Sequence, residues 1–149
     1  MKALSLWQPW ASAIAQGLKT CETRSWSTDY RGPLIICATK RGLSGAERAK
    51  MEENRWWRRV LELLKVSAIE DLPTGVALCQ ATLADVLWTE KASPVNELDR
   101  FLGDWTPGRY AWKLTGVERF MPVPVRGAQS LFVPSAHEQH AIRLALRDA

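Results

Sequence analysis

Short apolar, β-branched runs separated by turn residues recur along the chain and constrain its fold more than any other feature. Residues 3–7, 34–39, 76–86 and 109–114 each fit a strand, and residues 20–26 fit an extended segment. Strands therefore outnumber helices. This predicts an α+β fold, a small, partly open β-barrel flanked by two or three helices, rather than a parallel α/β sheet. We find no linker or repeat, so residues 1–149 are expected to form a single domain.

Helix signals occur at three places in the chain. Pro9 suits the first position of a short helix that Gly17 ends. Ser44 and Glu47 form a capping box that opens a helix of about twenty residues. Ser135 and Glu138 repeat that pattern before a C-terminal helix reaching Leu146. Between the strands, prolines 122 and 124 alternate with valines, which suits a sheet edge or a bulge.

A high tryptophan content and an uneven distribution of charge are the most unusual features of the composition. Eight of its thirteen aromatic residues are Trp, and so small a chain rarely buries every indole and still pairs each ring N–H. Residues 1–65 carry twelve Lys or Arg against six acids, whereas residues 66–149 carry eight against ten. A basic surface with exposed aromatic rings is typical of modules that bind phosphate groups and flat rings.

The cysteines and the N-terminus indicate a cytoplasmic protein. Cys21, Cys37 and Cys79 are odd in number and lack CxxC spacing, which argues against a disulfide framework or a zinc site. Residues 3–18 are uncharged, but Gln8-Pro9 divides them into pieces too short for a secretion signal or a membrane span. His137 and His140 have a spacing that can ligate metal, yet no third ligand is evident. We assign no metal and no cofactor.

The densest cluster of candidate functional residues lies just after the first helix. Gly17 ends that helix, and Lys19, Glu22 and Arg24 follow it. In an extended segment Glu22 and Arg24 project to the same side. A charged Lys19 suits an anion or a carbonyl oxygen, and Glu22 can accept from an exocyclic amine such as cytosine N4. Arg24 can hold Glu22 in place or bind a phosphate through two bonds. A purely structural ion network is the alternative.

The pattern GxKxxExR formed by these residues resembles the signature of the ASCH domain family, relatives of the PUA RNA-binding fold. The likeness extends, in the family's order, to residues 5–11 (SLWQPWA), 30–34 (YRGPL), 108–112 (GRYAW) and 122–127 (PVPVRG). The resemblance implies a PUA-like β-barrel with a cleft beside the first helix. Such a cleft would take RNA, a nucleotide or a modified nucleoside.

Two enzymatic relatives widen what the resemblance implies. Small ASCH-like proteins hydrolyse N(4)-acetylcytidine with the signature Lys and a Thr three residues later, and another ASCH protein is described as a ribonuclease. Lys19 matches that lysine, but Glu22 stands where the Thr would be, so the expected hydroxyl nucleophile is missing. If the protein is an enzyme, Lys19 and Glu22 are the catalytic candidates of an amidohydrolase or a metal-independent ribonuclease.

The sequence analysis predicts a binding cleft and a basic surface. The predicted ligand contacts are Trp7, Gln8, Lys19, Glu22, Arg24, Lys40 and Trp112, although Lys40 also fits a solvated rim and Trp112 also fits the core. The predicted nucleic-acid surface comprises Arg55, Trp56, Arg58 and Arg59, with partial burial of Trp56 under a loop as the alternative. We expect binding of RNA or a nucleoside-like ligand. The alternatives are a hydrolase of the same family and a protein-interaction module with a Trp-rich surface.

Overall fold

The computed structural model describes residues 1–149, whose strands form one five-stranded sheet. Its order is β1-β3-β4-β5-β2; the β1–β3 pair is parallel and the other pairs are antiparallel. The sheet curls into a half-barrel, which confirms the predicted α+β, partly open barrel. The strands are β1 (Lys2–Leu6), β2 (Cys21–Arg24), β3 (Gly32–Ala38), β4 (Val76–Trp88) and β5 (Tyr110–Pro124).

Five α-helices flank the sheet, more than the two or three expected. They are α1 (Trp10–Ala15), α2 (Gly45–Glu52), α3 (Arg55–Leu63), α4 (Glu97–Phe101) and α5 (Ala136–Arg147). Short 3₁₀ turns cover Ile69–Asp71 and Thr89–Lys91. None of the helices has the length and apolar character needed to cross a membrane.

The predicted long helix after Ser44 is wrong in one respect, because it is two helices. Ser44 and Glu47 do form the capping box of α2. The chain then turns at Asn54, whose side chain accepts from the Trp56 N–H at 2.8 Å and so starts α3 as a new helix. The second predicted capping box, at Ser135, is confirmed at the start of α5.

The barrel has a tryptophan-centred interior and a second apolar layer outside it. Trp112, with Leu4, Leu34 and Leu83, is completely or almost completely buried inside the half-barrel. On the outer face, Ile142 of α5 packs against the sheet in a separate cluster. A third cluster joins α1, α3 and α4 at one end of the barrel. The helices therefore cover one outer face and one end.

The barrel stays open between β1 and β2, the two edge strands of the sheet. They do not pair through their backbones. Instead the Arg24 guanidinium, at the end of β2, donates to the Ser5 carbonyl of β1 at 3.3 Å. The prolines at 122 and 124 lie in the part of β5 that pairs with β4 alone, amid register shifts, as predicted for an edge. The open seam leaves room for a site.

We predict that the cysteines resist modification in the folded protein. Burial raises the pKa of Cys37 and of Cys79 to about 12, and burial also raises the pKa of Cys21. At pH 8 only about one in ten thousand molecules carries a given thiolate of pKa 12. A chromogenic disulfide reagent should therefore react slowly with native protein and with three thiols in urea. Rapid reaction of Cys37 or Cys79 in native protein would contradict this burial.

Candidate functional site

A cleft of about 640 Å³ opens at the seam between β1 and β2. Edge residues of both strands form its floor, and the start of α1 and the turn that follows α4 form its walls. Its aromatic lining consists of Trp7, Trp10, Trp26 and Phe101, and its charged lining consists of Glu22, Arg24, Asp104 and Arg109. Flat apolar rings and charged groups of both signs therefore meet in one concave site.

A three-residue ion network lies at the centre of the cleft. The Glu22 carboxylate has Lys19 Nζ 3.4 Å from Oε1 and Arg24 Nε 3.1 Å from Oε2. Glu22 and Arg24 are neighbours on one face of β2, as their spacing predicts. Because each carboxylate oxygen has its own cation, the carboxylate is held in a single orientation at the cleft surface.

Lys19 lies behind the cleft rather than on its wall. Its side chain is 1% exposed, and Nζ donates to the Leu102 carbonyl at 2.8 Å. Gly17, with φ +79°, turns the chain at the end of α1, and the Lys19 N–H donates to the Ala13 carbonyl. Lys19 therefore contacts Glu22 from inside the protein, which makes it a positioning residue in this arrangement.

The buried carboxylate of Asp99 links α4 to residues 17–24, the signature segment that carries Lys19, Glu22 and Arg24. Asp99 is 1% exposed and accepts from the Thr20 N–H at 2.9 Å, the Thr20 hydroxyl at 2.6 Å and the Val95 N–H at 3.0 Å. This contact places the Leu102 carbonyl, one residue beyond α4, within reach of Lys19. The sequence analysis missed α4 and Asp99, because it found no helix or strand signal between residues 86 and 109.

The far wall of the cleft is built from β2 and the turn after α4. The Asp104 N–H donates to the Thr23 hydroxyl at 2.8 Å, and Arg109 Nη2 donates to the Thr23 carbonyl at 3.3 Å. Arg109 Nε lies 3.4 Å from Asp104 but makes no hydrogen bond. The guanidinium thus keeps an unused donor beside the cleft. Arg109 belongs to the GRYAW segment, which could have indicated it.

The aromatic lining of the cleft is continuous with α3. Trp10 contacts Trp57 edge to face at 5.3 Å, and Trp57 contacts Phe101 at 4.7 Å. Phe101 also stacks on Trp56 at 6.0 Å. At the opposite side, the Arg41 guanidinium lies 3.9 Å from the ring centre of Trp7. These contacts fix the rings and leave part of their surface facing the cleft.

The structure brings together only some of the predicted ligand contacts. Trp7, Glu22 and Arg24 line the cleft. Gln8 is buried and bonds to Ser12 and to the Pro73 carbonyl, so it braces the start of α1. Lys40 lines a neighbouring cavity instead.

Trp112 also lies outside the cleft, in the core that the sequence analysis gave as its alternative position. It is fully buried, because its position on β5 faces the barrel interior. Its ring N–H donates to the Trp26 carbonyl at 3.2 Å, and the two indoles pack edge to face. Trp112 therefore supports a cleft residue without lining the cleft.

The predicted basic surface lies on α3, next to the cleft. Arg55, Arg58 and Arg59 are exposed. Trp56 is half-buried because it stacks on Phe101, and Arg59 pairs with Glu62 at 3.0 Å. The basic face therefore reaches the cleft through Phe101. His137 and His140 are exposed on α5, and no group of three or more His, Cys, Asp or Glu side chains is arranged to hold a metal ion.

A half-barrel that is open at one seam, with a cleft at that seam, defines a PUA-like β-barrel protein. The family model described as the ASCH domain matches residues 4–124, and the chain belongs to this family. The chain is also similar to activating signal cointegrator 1 of Homo sapiens and of Mus musculus, with 38% identity over 84 residues in each. That match covers 56% of this chain but 14% of those proteins.

Solved structures of an ASCH protein from Zymomonas mobilis share the fold. One superimposes with a TM-score of 0.56 at 16% identity, covering 96% of this chain and 93% of the other. A single-substitution mutant of that protein gives a TM-score of 0.55 at 16% identity, covering 96% of both chains. At this identity the likeness establishes the fold alone.

We predict that Asp99→Ala destabilises the protein and loosens the site. The substitution leaves three donors without their acceptor, which should cost about 3 kcal/mol of unfolding free energy. Glu97→Ala, an exposed change on the same helix, is the control and should cost less than about 0.5 kcal/mol. Urea unfolding measures both. Equal midpoints for the two variants would show that the Asp99 contact contributes nothing.

Proposed function

We propose that this ASCH domain binds RNA by holding one nucleoside unit in the cleft at the β1–β2 seam. The observation that carries the proposal is the meeting of fixed aromatic rings with Arg24, Glu22 and Arg109 in one concave site. Rings of this kind stack on bases, and arginine side chains bind phosphate or a base edge. The same arrangement suits a free nucleotide, which the binding experiments below separate from RNA.

The dimensions and lining of the cleft support a single nucleoside. Its volume of about 640 Å³ lies within the range of about 300–1,000 Å³ typical of small-ligand sites. Trp7 and Trp26 line the cleft together with Arg24, whose guanidinium lies 5.9 Å from the ring centre of Trp26. Stacking contributes about 1–3 kcal/mol per base and tolerates any base, so the rings supply affinity.

Glu22 supplies the acceptor by which the cleft would select a base. Its carboxylate is held between Lys19 and Arg24, which limits its movement. A fixed carboxylate accepts from an exocyclic amine such as cytosine N4 and repels a carbonyl at the same place. The proposal therefore favours bases with an amino group on the edge that faces Glu22.

The contacts of Lys19 favour binding over hydrolysis as the first hypothesis. Lys19 Nζ donates to the Leu102 carbonyl and contacts Glu22, and the side chain is 1% exposed and does not line the cleft. Hydrolysis by Lys19 and Glu22 stays a prediction to be tested. A cytoplasmic location and a single domain over residues 1–149 are parts of the same proposal.

We predict that cleft substitutions weaken the binding of both nucleosides and short RNA. Arg24→Ala should lower affinity about tenfold or more, since a hydrogen bond to a charged group contributes about 1.5–3 kcal/mol. Glu22→Gln should remove the preference for amino-bearing bases. Calorimetry with the four nucleosides and with five-nucleotide homopolymers of RNA measures both effects.

The control for these variants is Lys113→Ala, an exposed lysine on β5 outside the cleft. It should bind like the wild type. Arg24→Lys checks that the planar guanidinium matters, because it keeps the charge and loses the two-point geometry. Wild-type affinity in Arg24→Ala and in Arg24→Lys would rule out the cleft as the binding site.

We predict that Lys19→Met weakens nucleoside binding, and that neither the wild type nor the variant has hydrolase activity. Methionine keeps most of the side-chain length but removes the charge that orients Glu22, so affinity should fall about threefold to tenfold. Release of acetate from N(4)-acetylcytidine and cleavage of a labelled RNA should stay at background in wild type and variant. Turnover by the wild type that Lys19→Met abolishes would replace the binding proposal with hydrolysis.

A further inference from the structure

The cleft continues into two further cavities along the protein surface. A bridging cavity of about 370 Å³ shares Ser5, Trp7, Arg24 and Trp26 with the cleft. A terminal cavity of about 440 Å³ shares Ser5, Thr39, Ala128 and Gln129 with the bridging one. The three cavities therefore lie side by side from the β1–β2 seam to the end of β3 and the 126–130 loop, and we refer to them together as the groove.

Two cations without an ion-pair partner line the terminal part of the groove, and the carboxylate of Glu138 accepts from the backbone N–H of Arg126 at 2.6 Å. Lys40 and Arg126 line it, and no acidic residue lines either the terminal or the bridging cavity. Neither cation takes part in an ion pair. In the cleft itself, by contrast, Glu22 and Asp104 accompany the cations. Within the groove, the terminal cavity is therefore the place where an anion would meet cations that have no acidic side chain paired with them.

The backbone at Gly75 and at Thr39 determines where Lys40 lies. A Cβ at Gly75 would come within 2.9 Å of Lys40 Cγ, and Gly75 has φ +66°. The glycine thus lets the methylene stem of Lys40 lie against the backbone beside the terminal cavity. The Thr39 N–H donates to the Leu6 carbonyl at 2.9 Å, which fixes the end of β3 beside β1.

Two hydroxyl groups in the wall of the groove lack hydrogen-bond partners. Ser5 Oγ and Thr39 Oγ1 are buried, and neither has a partner in the protein. The 126–130 loop passes directly over the first of them, since a Cβ at Gly127 would lie 2.8 Å from Ser5 Oγ. Buried polar groups almost always have partners. After a small shift of the 126–130 loop, oxygen atoms of a ligand in the groove would accept hydrogen bonds from these two hydroxyl groups.

We propose that the groove holds single-stranded RNA of at least two nucleotides. One base lies in the cleft, and the backbone phosphate of the next nucleotide lies against Lys40 and Arg126. This inference rests on the proposed function, to which it adds a second contact, for the phosphate of the nucleotide next to the one in the cleft. The cleft supplies stacking and a base acceptor, while the terminal cavity supplies charge that a neutral nucleoside does not need.

The experiment compares ligands of increasing length on matched variants. Calorimetry at fixed salt uses the four nucleosides, their 5′-monophosphates, inorganic phosphate and five-nucleotide homopolymers of RNA. Lys40→Ala/Arg126→Ala should lower affinity for the pentanucleotide about tenfold and for the nucleoside less than about twofold. It should also reduce the salt dependence of pentanucleotide binding by about one to two phosphate contacts.

The control is Lys91→Ala/Arg147→Ala, which removes the same charge at exposed positions outside the groove. It should change pentanucleotide affinity less than about twofold if charge acts locally. Thr39→Val tests the unpaired hydroxyl and should weaken only the pentanucleotide. Melting temperatures check that each variant is folded.

The outcomes separate this inference from the proposed function. Equal losses in the two double variants, or a wild type that binds nucleoside and pentanucleotide equally well, would overturn the extended groove and leave nucleoside binding intact. Binding of inorganic phosphate as tight as that of the pentanucleotide would reduce the terminal cavity to an anion site. No binding of nucleoside or pentanucleotide would overturn both proposals.

Discussion

Glu22 joins the two edges of an open sheet through its neighbours. Its carboxylate fixes Arg24, whose guanidinium reaches the Ser5 carbonyl of β1, and it fixes Lys19, whose ammonium reaches the turn after α4. Side chains thus perform the bridging that backbone pairing would perform in a closed barrel. Because the side chains span a wider gap than a backbone ladder, a cleft remains at the seam. The remaining site residues take their positions from this arrangement.

Burying the charges of Lys19 and Glu22 is costly unless each has its partners in place. Asp99 meets that condition indirectly, since it holds α4 against the signature segment and so presents the Leu102 carbonyl to Lys19. Trp112 supports the aromatic part of the cleft, because its ring N–H donates to the Trp26 carbonyl. The cleft is therefore a rigid site supported by buried polar and aromatic contacts. The fixed rings and carboxylate are the basis of our proposal that the cleft takes a flat base, and the unpaired cations beyond them are the basis of our proposal that the phosphate of the next nucleotide lies there.

Local patterns predicted most of the secondary structure and the central charges. Capping boxes at Ser44 and Ser135, the extended segment around Glu22 and the irregular end of β5 all follow from neighbouring residues. The long helix was wrong because the cap at Asn54 is a side-chain contact within an otherwise helical run. Helix α4 was missed because five residues carry too little periodicity, and its stability comes from Asp99 and the apolar packing beneath it.

The sequence alone predicted the family from its motifs, a partly open barrel from its strand-like runs, and the grouping of Lys19, Glu22 and Arg24 from their short spacing along the chain. Only the tertiary structure decided which side chains face the cleft. Trp112 is buried in the barrel interior, and Gln8 is bonded within the protein. Asp104, Arg109 and Phe101, which come from segments distant in sequence, line the cleft. Lys40 joined the groove beyond it. The physical reason is that exposure depends on the packing of every neighbouring element, which no local pattern of residues contains.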